Sequence, residues 1–276
     1  MSPITRLFSL PPNHTTLITG GSRGIGLMLA KGYYAAGSTV YISSRTASDL
    51  NEAVTDIERQ DTNEGGAVVA IEGDVGSREG CIDLVNNLKA QLPSPTLSLL
   101  INNAGCAWGE PFTRRSGKMN WGWDKVLDLN LKAPFYLTHE CLPLLKSGEG
   151  VSGRVINIGS VVGMTPQDAP THAYDASKAA LHHLTKKLSE ELAKEGITCN
   201  AVAPGFVPSK MSAGLGSYAS FEDIAKQTPL GRLGDADDML AACLYLSGRG
   251  GEWVTGAILN VDGGAAGGVK IKLGEE

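Results

Sequence analysis

Short apolar runs alternate along the chain with longer stretches in which apolar residues recur every three or four positions. The short runs predict strands over residues 15–19, 39–43, 67–72, 97–101, 154–158, 197–203 and 257–261. The longer stretches predict helices over residues 27–36, 47–59, 77–91, 121–145, 171–194 and 236–246. Repeated strand-then-helix units imply a parallel sheet with helices on both faces. The pattern therefore predicts an α/β fold, a single doubly wound Rossmann domain with a parallel seven-stranded sheet.

The predicted sheet leaves both ends of the chain and one long loop outside it. We assign residues 1–14 to an N-terminal extension, residues 15–264 to the domain and residues 265–276 to a tail. Residues 206–232 follow a predicted strand and lack a long periodicity. Their apolar members include Met211, Leu215, Tyr218 and Phe221. This segment is predicted to be a lid over an apolar substrate.

Composition narrows the class of protein. The 276 residues are 42% hydrophobic and 19% charged with a net charge of -5, which suits a globular domain and gives no basis for nucleic-acid binding. No run reaches the roughly eighteen apolar residues of a membrane span, and residues 1–14 lack the apolar core of a secretory signal. The five cysteines are scattered without metal-ligand spacing. They predict unpaired thiols in a reducing compartment, the cytoplasm, and no bound metal.

Glycine is in excess, at 35 of 276 residues, where the usual share is about 7%. One turn, residues 20–26, reads Gly-Gly-Ser-Arg-Gly-Ile-Gly between the first predicted strand and helix. Gly20 permits a tight turn, Gly24 a close backbone approach to a pyrophosphate, and Gly26 close packing of the helix. The helix N-terminus favours negative charge. This turn predicts a dinucleotide site, although a glycine-rich turn without a ligand would have the same composition.

The end of the second predicted strand bears on the choice of coenzyme. Dinucleotide folds that hold NAD usually place an acidic residue here for the ribose 2′-hydroxyl, whereas an arginine accommodates the 2′-phosphate of NADP. This chain has Ser44 where the carboxylate would be, followed by Arg45, and Arg23 could add a second cation. Either arginine alone could be a solvated charge. The missing acid favours NADP(H).

Two further strand ends carry residues suited to a cofactor. Asp74, followed by Val75, can accept from an adenine amino group or cap the helix that begins near Ser77. The fourth predicted strand ends in Asn-Asn-Ala-Gly at residues 102–105, where small residues let a cofactor lie against the backbone. Ligands of such sheets bind beyond the carboxyl ends of the strands. We therefore expect these residues and the glycine turn to line one crevice.

The fifth predicted helix places a phenol and an ammonium group four residues apart, at Tyr174 and Lys178. Both side chains therefore leave the same helix face. A neighbouring cation favours the phenolate and lowers the pKa of a tyrosine from its ordinary value of about 10. Tyr174 is thus a candidate general acid and base. An amphipathic helix with a packed tyrosine and a solvated lysine would show the same spacing.

Over residues 15–264 the chain resembles the compact, single-domain short-chain dehydrogenase/reductases. The resemblance rests on segments 19–26 and 102–105, on Ser160, on Tyr174 with Lys178, and on Pro204-Gly205. Segments 157–161, 177–182 and 204–209 look most like the 3-oxoacyl-[acyl-carrier-protein] reductases, including rhamnolipid-pathway ketoreductase-like members. Similar chains also serve fungal-type secondary metabolism and steroid or polyol chemistry.

The resemblance implies an NADP-dependent oxidoreductase that acts on CH-OH groups. Such a ketoreductase transfers hydride between NADP(H) and a carbonyl or secondary alcohol of an apolar or acyl-type substrate. It also implies that the two long helices, 121–145 and 171–194, pack across subunits of a homodimer or homotetramer. The resemblance implies a catalytic tetrad of Asn130, Ser160, Tyr174 and Lys178. A cofactor-binding regulator without redox chemistry should lack some of these residues, and all four are present.

The implied tetrad consists of Asn130, Ser160, Tyr174 and Lys178. Tyr174 would protonate the carbonyl oxygen, Lys178 would lower the Tyr174 pKa and hold the nicotinamide ribose, and Ser160 would donate a hydrogen bond to the substrate oxygen. Asn130 would hold its helix open around a water linked to Lys178; simple solvent exposure is the alternative. The expected cofactor-binding residues are Gly20, Ser22, Arg23, Gly24, Ile25, Gly26, Ser44, Arg45, Thr46, Asp74, Val75, Asn103, Ala104, Gly105, Tyr174, Lys178, Pro204, Gly205, Val207 and Ser209.

Several features are individual to this chain. The loop between Ser160 and Tyr174 is slightly longer than the family's commonest spacing, which predicts an individual pocket wall. The basic segment 114–118 could meet a carrier protein or a CoA phosphate, although a solvated loop is the simpler interpretation. Trp108 is predicted to line the substrate pocket. His172 is predicted either to form part of the pocket wall or to have a structural role.

Overall fold

A computed structural model describes residues 3–60, 66–116, 120, 122–146, 153–209 and 220–267. The strands are β1 (Thr15–Thr19), β2 (Thr39–Ser44), β3 (Ala67–Glu72), β4 (Leu99–Asn102), β5 (Arg154–Ile158), β6 (Thr198–Pro204) and β7 (Ile258–Val261). They form a seven-stranded sheet in the order β3-β2-β1-β4-β5-β6-β7, and every neighbouring pair is parallel. The predicted α/β fold with one doubly wound sheet is confirmed.

The described helices are α1 (Pro3–Phe8), α2 (Gly24–Ala35), α3 (Ala47–Glu58), α4 (Arg78–Gln91), α5 (Trp123–Leu127), α6 (Ala133–Leu145), α7 (His172–Leu192), α8 (Phe221–Gln227) and α9 (Ala236–Ser247). A single π-helical turn, Asp128–Lys132, joins α5 to α6. The sequence pattern did not indicate the short helices α1 and α8. The described helices include none with the length and apolarity to cross a membrane.

Neighbouring strand residues point to opposite faces of the sheet and build two separate apolar cores. Leu17 and Leu100 pack with helices α4 and α6, whereas the adjacent residues Ile18 and Ile101 pack with α2 and α9. This alternation follows from the period of two along a strand. Because helices cover both faces, apolar residues are favoured at every strand position. The carboxyl edge of the sheet is left for polar turns.

Five predicted segments lie partly outside the described residues. The parts outside are 1–2 of the N-terminal extension, 117–118 of the basic segment, 121 of the predicted helix 121–145, 210–219 of the lid and 268–276 of the tail. The lid function therefore stays a prediction. Within the described part of the segment, Phe206 and Phe221 meet edge to face with ring centroids 5.5 Å apart.

A buried polar cluster lies at the amino ends of the strands, just before β1. His14 is 2% exposed, its Nδ1 lies 3.0 Å from Ser38 Oγ, and its ring stacks on Tyr33. Burial, with a smaller contribution from Arg154, lowers the pKa of His14 to about 4. The imidazole is therefore neutral in the folded protein at physiological pH.

We expect the free energy of unfolding to fall as the pH is lowered from 6.5 towards 5. Burial also lowers the pKa of His182 in α7 to about 4, so both histidines depart from the ordinary value of 6.5. In this window the unfolded chain binds protons that the folded chain does not. The loss reaches about 2 kcal/mol per histidine at pH 5.

Urea unfolding across this pH range tests the prediction. His14→Asn should remove about half of the slope. An unaltered slope in His14→Asn would contradict the assignment of His14.

Candidate active site

The turns after β1 and β4 are joined to each other by hydrogen bonds. Asn103 Nδ2 donates to the Thr19 carbonyl over 2.8 Å, and Thr19 Oγ1 accepts from the backbone N–H groups of Asn103 and Ala104 over 3.1 and 3.0 Å. A Cβ on Gly20 would lie 3.0 Å from Ala104 Cα, and one on Gly26 would collide with the Gly20 carbonyl. The predicted glycine turn and the Asn-Asn-Ala-Gly turn therefore form one continuous backbone wall.

Helix α2 begins at Gly24, inside the glycine turn, with Arg23 at its N-cap position. Arg23 makes no side-chain capping hydrogen bond to this 12-residue helix, and Gly24 has a φ of +55°. Uncapped N–H groups and the helix dipole favour an anion at this point. Ser22 and Ile25, which lie within the turn, are half-buried.

The segment after β6 lies against the same turn. A Cβ on Gly24 would lie 3.3 Å from Ser209 Cβ, and one on Gly205 would lie 2.8 Å from Asp262 Cα. Pro204 is the last residue of β6, and Val207 is 5% exposed. The structure thus places Ser209 against the glycine turn, whereas contact of residues 204–209 with a cofactor stays a prediction.

The residues predicted to select the coenzyme follow β2 at the same edge. Arg45 and Thr46 are exposed and Ser44 is half-buried. Neither Arg23 nor Arg45 forms an ion pair with a described residue. Both guanidinium groups therefore lie in solvent at the edge where the strand ends converge.

Asp74 does not cap α4, because Ser77 does. Ser77 Oγ accepts from the Gly80 N–H over 3.0 Å, whereas Asp74 Oδ1 accepts from the Gly76 N–H over 3.0 Å within its own turn. The capping alternative for Asp74 is therefore wrong. Asp74 is exposed and Val75 is buried.

Ser160, Tyr174 and Lys178 meet where β5 ends and α7 begins. Ser160 is 9% exposed, and its side chain, beside the Tyr174 hydroxyl, acts to lower the pKa of that phenol. Lys178 Nζ donates to the Ile158 carbonyl over 2.7 Å and lies 5.7 Å from the centre of the Tyr174 ring. The alternative of a solvated lysine is wrong, since Lys178 is only 5% exposed.

The predicted lowering of the Tyr174 pKa by Lys178 is not what this arrangement produces. Burial raises the pKa of Tyr174 above its ordinary value, and the nearby Ser160 side chain opposes that shift. Burial lowers the pKa of Lys178 to about 8. The phenol is therefore the stable form of Tyr174 at neutral pH, and Lys178 is a cation that can exchange its proton near pH 8.

Asn130 lies in the π-helical turn and is 1% exposed, so the alternative of simple solvent exposure is wrong. Its Nδ2 donates to the Cys106 carbonyl over 2.9 Å and to Ser177 Oγ over 3.0 Å. Its Oδ1 accepts from the Cys106 N–H over 2.9 Å. The side chain thus joins the loop after β4 to α7 beside Lys178. π-Helical turns of this kind are frequent at functional sites.

His182 is a neighbour of the site that the sequence did not single out. It is 6% exposed, and its Nε2 lies 3.4 Å from the Ser160 backbone N–H. A Cβ on Gly159 would collide with Nε2, and one on Gly163 would lie 2.9 Å from Cε1. Two glycines therefore make room for the imidazole directly behind Ser160. A histidine one turn beyond Lys178 was the available signal.

The loop after β4 lies on the open side of Tyr174. Trp108 is 45% exposed and Phe112 is 74% exposed, and Phe112 meets the exposed His172 ring edge to face at 6.0 Å. Within the described part of the basic segment, Arg114 pairs with Glu110 over 3.3 Å. Arg115 donates to the Phe112 carbonyl over 3.1 Å. Both arginines thus make bonds to their own loop.

Comparison with known proteins agrees with this geometry. The family model described as short chain dehydrogenase matches residues 14–218. A rhamnolipid-biosynthesis 3-oxoacyl-[acyl-carrier-protein] reductase of Pseudomonas aeruginosa is 37% identical over 90% of this chain and 94% of its own length. A gluconate 5-dehydrogenase of Gluconobacter oxydans is 33% identical over 94% and 96%. The solved active-site complex of Pseudomonas aeruginosa RhlG with NADP superposes with a TM-score of 0.85 at 36% identity, covering 95% of this chain and 99% of that one.

Proposed function

Because this chain belongs to the short-chain dehydrogenase/reductase family, we propose that it is an NADP(H)-dependent ketoreductase. It transfers hydride between NADP(H) and a carbonyl or secondary alcohol. The observation that carries this proposal is the meeting of Ser160, Tyr174 and Lys178 at the carboxyl edge of the sheet, beside the glycine turn. Donors aimed at one oxygen suit the charge that develops when a carbonyl is reduced.

The residues of the crevice fit a dinucleotide. The uncapped N-terminus of α2 offers N–H groups to a pyrophosphate, and the glycine turn and Ala104 leave the wall without protruding side chains. Arg23 and Arg45 would hold the 2′-phosphate, and Ser44 leaves no carboxylate to repel it. Asp74 and Val75 would face the adenine. The remaining cofactor contacts are proposed for Asn103, Gly105 and residues 204–209.

In the proposed reaction, NADPH supplies the hydride when it is bound. The Tyr174 hydroxyl donates its proton to the carbonyl oxygen, which suits a phenol whose pKa burial keeps high. Ser160 Oγ accepts from the Val162 N–H over 3.4 Å, which leaves its own hydrogen for the substrate oxygen. Two donors therefore neutralise the developing alkoxide.

Lys178 and Asn130 restore the proton in this proposal. Lys178 has three N–H donors, of which one is used by the Ile158 carbonyl. With a pKa of about 8, the ammonium can pass a proton towards Tyr174 and recover it near neutral pH. Asn130 bonds the backbone of Cys106 and the hydroxyl of Ser177, where a bound water could connect Lys178 with solvent.

We propose an apolar or acyl-type substrate. The support is a group of exposed apolar side chains on the loops that follow β4 and β5, namely Trp108, Phe112 and Met164. Exposed apolar groups gathered beside a catalytic centre favour an apolar ligand.

An assay of NADPH consumption against 3-oxoacyl thioesters, cyclic ketones and quinones tests the function. We expect reduction of the 3-oxoacyl thioesters with NADPH, and far slower turnover with NADH. Binding of NADPH without reduction of any member of the panel would contradict the proposal and favour a cofactor-binding regulator.

Assembly and location are further proposals. Trp123 in α5 and Phe135 in α6 are 39% and 43% exposed, which supports packing of this surface against a second copy in a homodimer or homotetramer. All five cysteines are unpaired, which supports a cytoplasmic location. Light scattering tests the oligomeric state, and a monomer at micromolar concentration would contradict the proposed assembly. Localisation of a tagged full chain tests the cytoplasmic location, and recovery in an oxidising compartment would contradict it.

A further inference from the structure

Glu110 is a buried carboxylate that the proposed mechanism does not use. It is 4% exposed, and its Oε2 atom has no hydrogen-bond partner among the described residues. Its Oε1 accepts from Trp108 Nε1 over 2.9 Å and from Arg114 Nη1 over 3.3 Å. Burying a carboxylate oxygen without a partner costs free energy, so such a group calls for an explanation.

The surroundings of Glu110 hold the indole of Trp108 in one place. A Cβ on Gly122, which has a φ of +68°, would lie 2.5 Å from Trp108 Cβ, so the indole packs on bare backbone just before α5. The Glu110 N–H donates to the Pro170 carbonyl over 3.0 Å. That bond ties the loop to the segment that leads into Tyr174. Trp108 is therefore fixed on two sides although nearly half of it is exposed.

A fixed and exposed indole differs from an ordinary surface tryptophan. Its conformational freedom is already lost before a ligand arrives, so an apolar group that packs on it gains contact at a small entropic cost. Phe112 is exposed on the same loop, and its ring meets that of His172, two residues before Tyr174, edge to face at 6.0 Å. The loop thus presents two exposed aromatic side chains beside the segment that leads into Tyr174.

We infer that Trp108 determines the selectivity for the apolar tail of the substrate, and that Glu110 is the positioning residue that orients it. This inference rests on the proposed function, since it assigns the tail of the substrate that Tyr174 reduces. Each buried methylene group changes affinity by about four-fold, so an indole face that covers two or three of them selects by about 30-fold. Among 3-oxoacyl thioesters, we therefore expect those with an apolar tail long enough to cover the indole to be preferred over the shortest ones.

The test compares 3-oxodecanoyl and 3-oxobutanoyl N-acetylcysteamine thioesters. In Trp108→Ala we expect the ratio of the two kcat/KM values to fall by about 30-fold, mainly through the KM of the decanoyl substrate. Glu110→Leu, which removes the acceptor, should lower the ratio by about 5-fold or more, whereas Glu110→Gln, which keeps an oxygen for the indole N–H, should stay within about 3-fold of the original. Trp253→Ala, at a side chain that is 99% exposed elsewhere, should not change it.

The inference would be overturned if Trp108→Ala kept the original ratio of the two kcat/KM values, even if both values fell by the same factor. A ratio in Glu110→Leu equal to that of the original chain would overturn the role of Glu110, and thermal unfolding of each variant excludes loss of folding. Calorimetric binding of decanoyl and butanoyl thioesters to the NADPH-loaded protein gives the same ratio without turnover. If the original chain does not reduce these substrates, the proposed function is wrong. If the original chain binds the decanoyl and butanoyl thioesters with equal affinity, this inference is wrong.

Discussion

Replacing Tyr174 with Phe should lower kcat for carbonyl reduction by about 1,000-fold, the scale of general acid catalysis. The substitution removes one oxygen and keeps the ring that packs in α7. Burial raises the pKa of this phenol, so the hydroxyl is a proton donor in its neutral form. No other hydroxyl at the site can replace it, because Ser160 donates to the same oxygen and carries no comparable acidity.

Binding of NADPH to Tyr174→Phe should stay within about 3-fold of that to the original chain, since the loss concerns the transition state. Stopped-flow reduction measures the first quantity and fluorescence titration of NADPH the second. Tyr34→Phe is the matched control, because Tyr34 is a half-buried phenol near the C-terminus of α2, at the opposite edge of the sheet. Turnover of Tyr174→Phe within about 10-fold of the original would exclude Tyr174 as the acid.

Most of the fold could be predicted because strand and helix periods are strong local signals. The predicted edges of β4 and α2 differ from the structure by two or three residues, since α2 already begins at Gly24. The prediction assigned all of the glycine turn to a loop. In the structure the last residues of that turn already form the first turn of α2. Element ends depend on hydrogen bonds that periodicity does not encode.

The helices α1 and α8 escaped prediction because six and seven residues are too few to show a helical period. Helices of this length depend on caps and on the surface beneath them. A local signal was available for α8, since Ser220 precedes it and its Oγ accepts from the Asp223 N–H over 3.1 Å. That spacing is typical of a helix N-terminus.

Residue positions in the site followed from the sequence, but their electrostatics did not. The four-residue spacing of Tyr174 and Lys178 indicates that they share a face, and it says nothing about burial. In the structure burial determines the direction of both pKa shifts. His182 comes from a separate segment, and only tertiary packing places it behind Ser160. Glu110 is a close neighbour of Trp108 in the sequence, but the sequence does not indicate that its carboxylate is buried and accepts from the indole N–H.

Arg45→Ala should weaken NADPH binding by about 100-fold and NADH binding by no more than about 3-fold. A guanidinium that pairs with a phosphate gains charge-assisted hydrogen bonds, which the ribose hydroxyl of NADH cannot provide to the same extent. Arg45 is exposed and pairs with no carboxylate among the described residues. Its removal therefore breaks no internal ion pair there.

Arg45→Asp should go further and favour NADH, because the new carboxylate repels the 2′-phosphate and can accept from the 2′-hydroxyl. Equilibrium titration with both coenzymes measures the preference. Arg59→Ala, which removes an exposed cation that follows α3, controls for the general loss of positive charge. Equal losses of NADPH and NADH affinity in Arg45→Ala would show that Arg45 contacts a group the two coenzymes share. The preference for NADPH would then have to come from Arg23, which lies in the glycine turn after β1, at the same edge of the sheet.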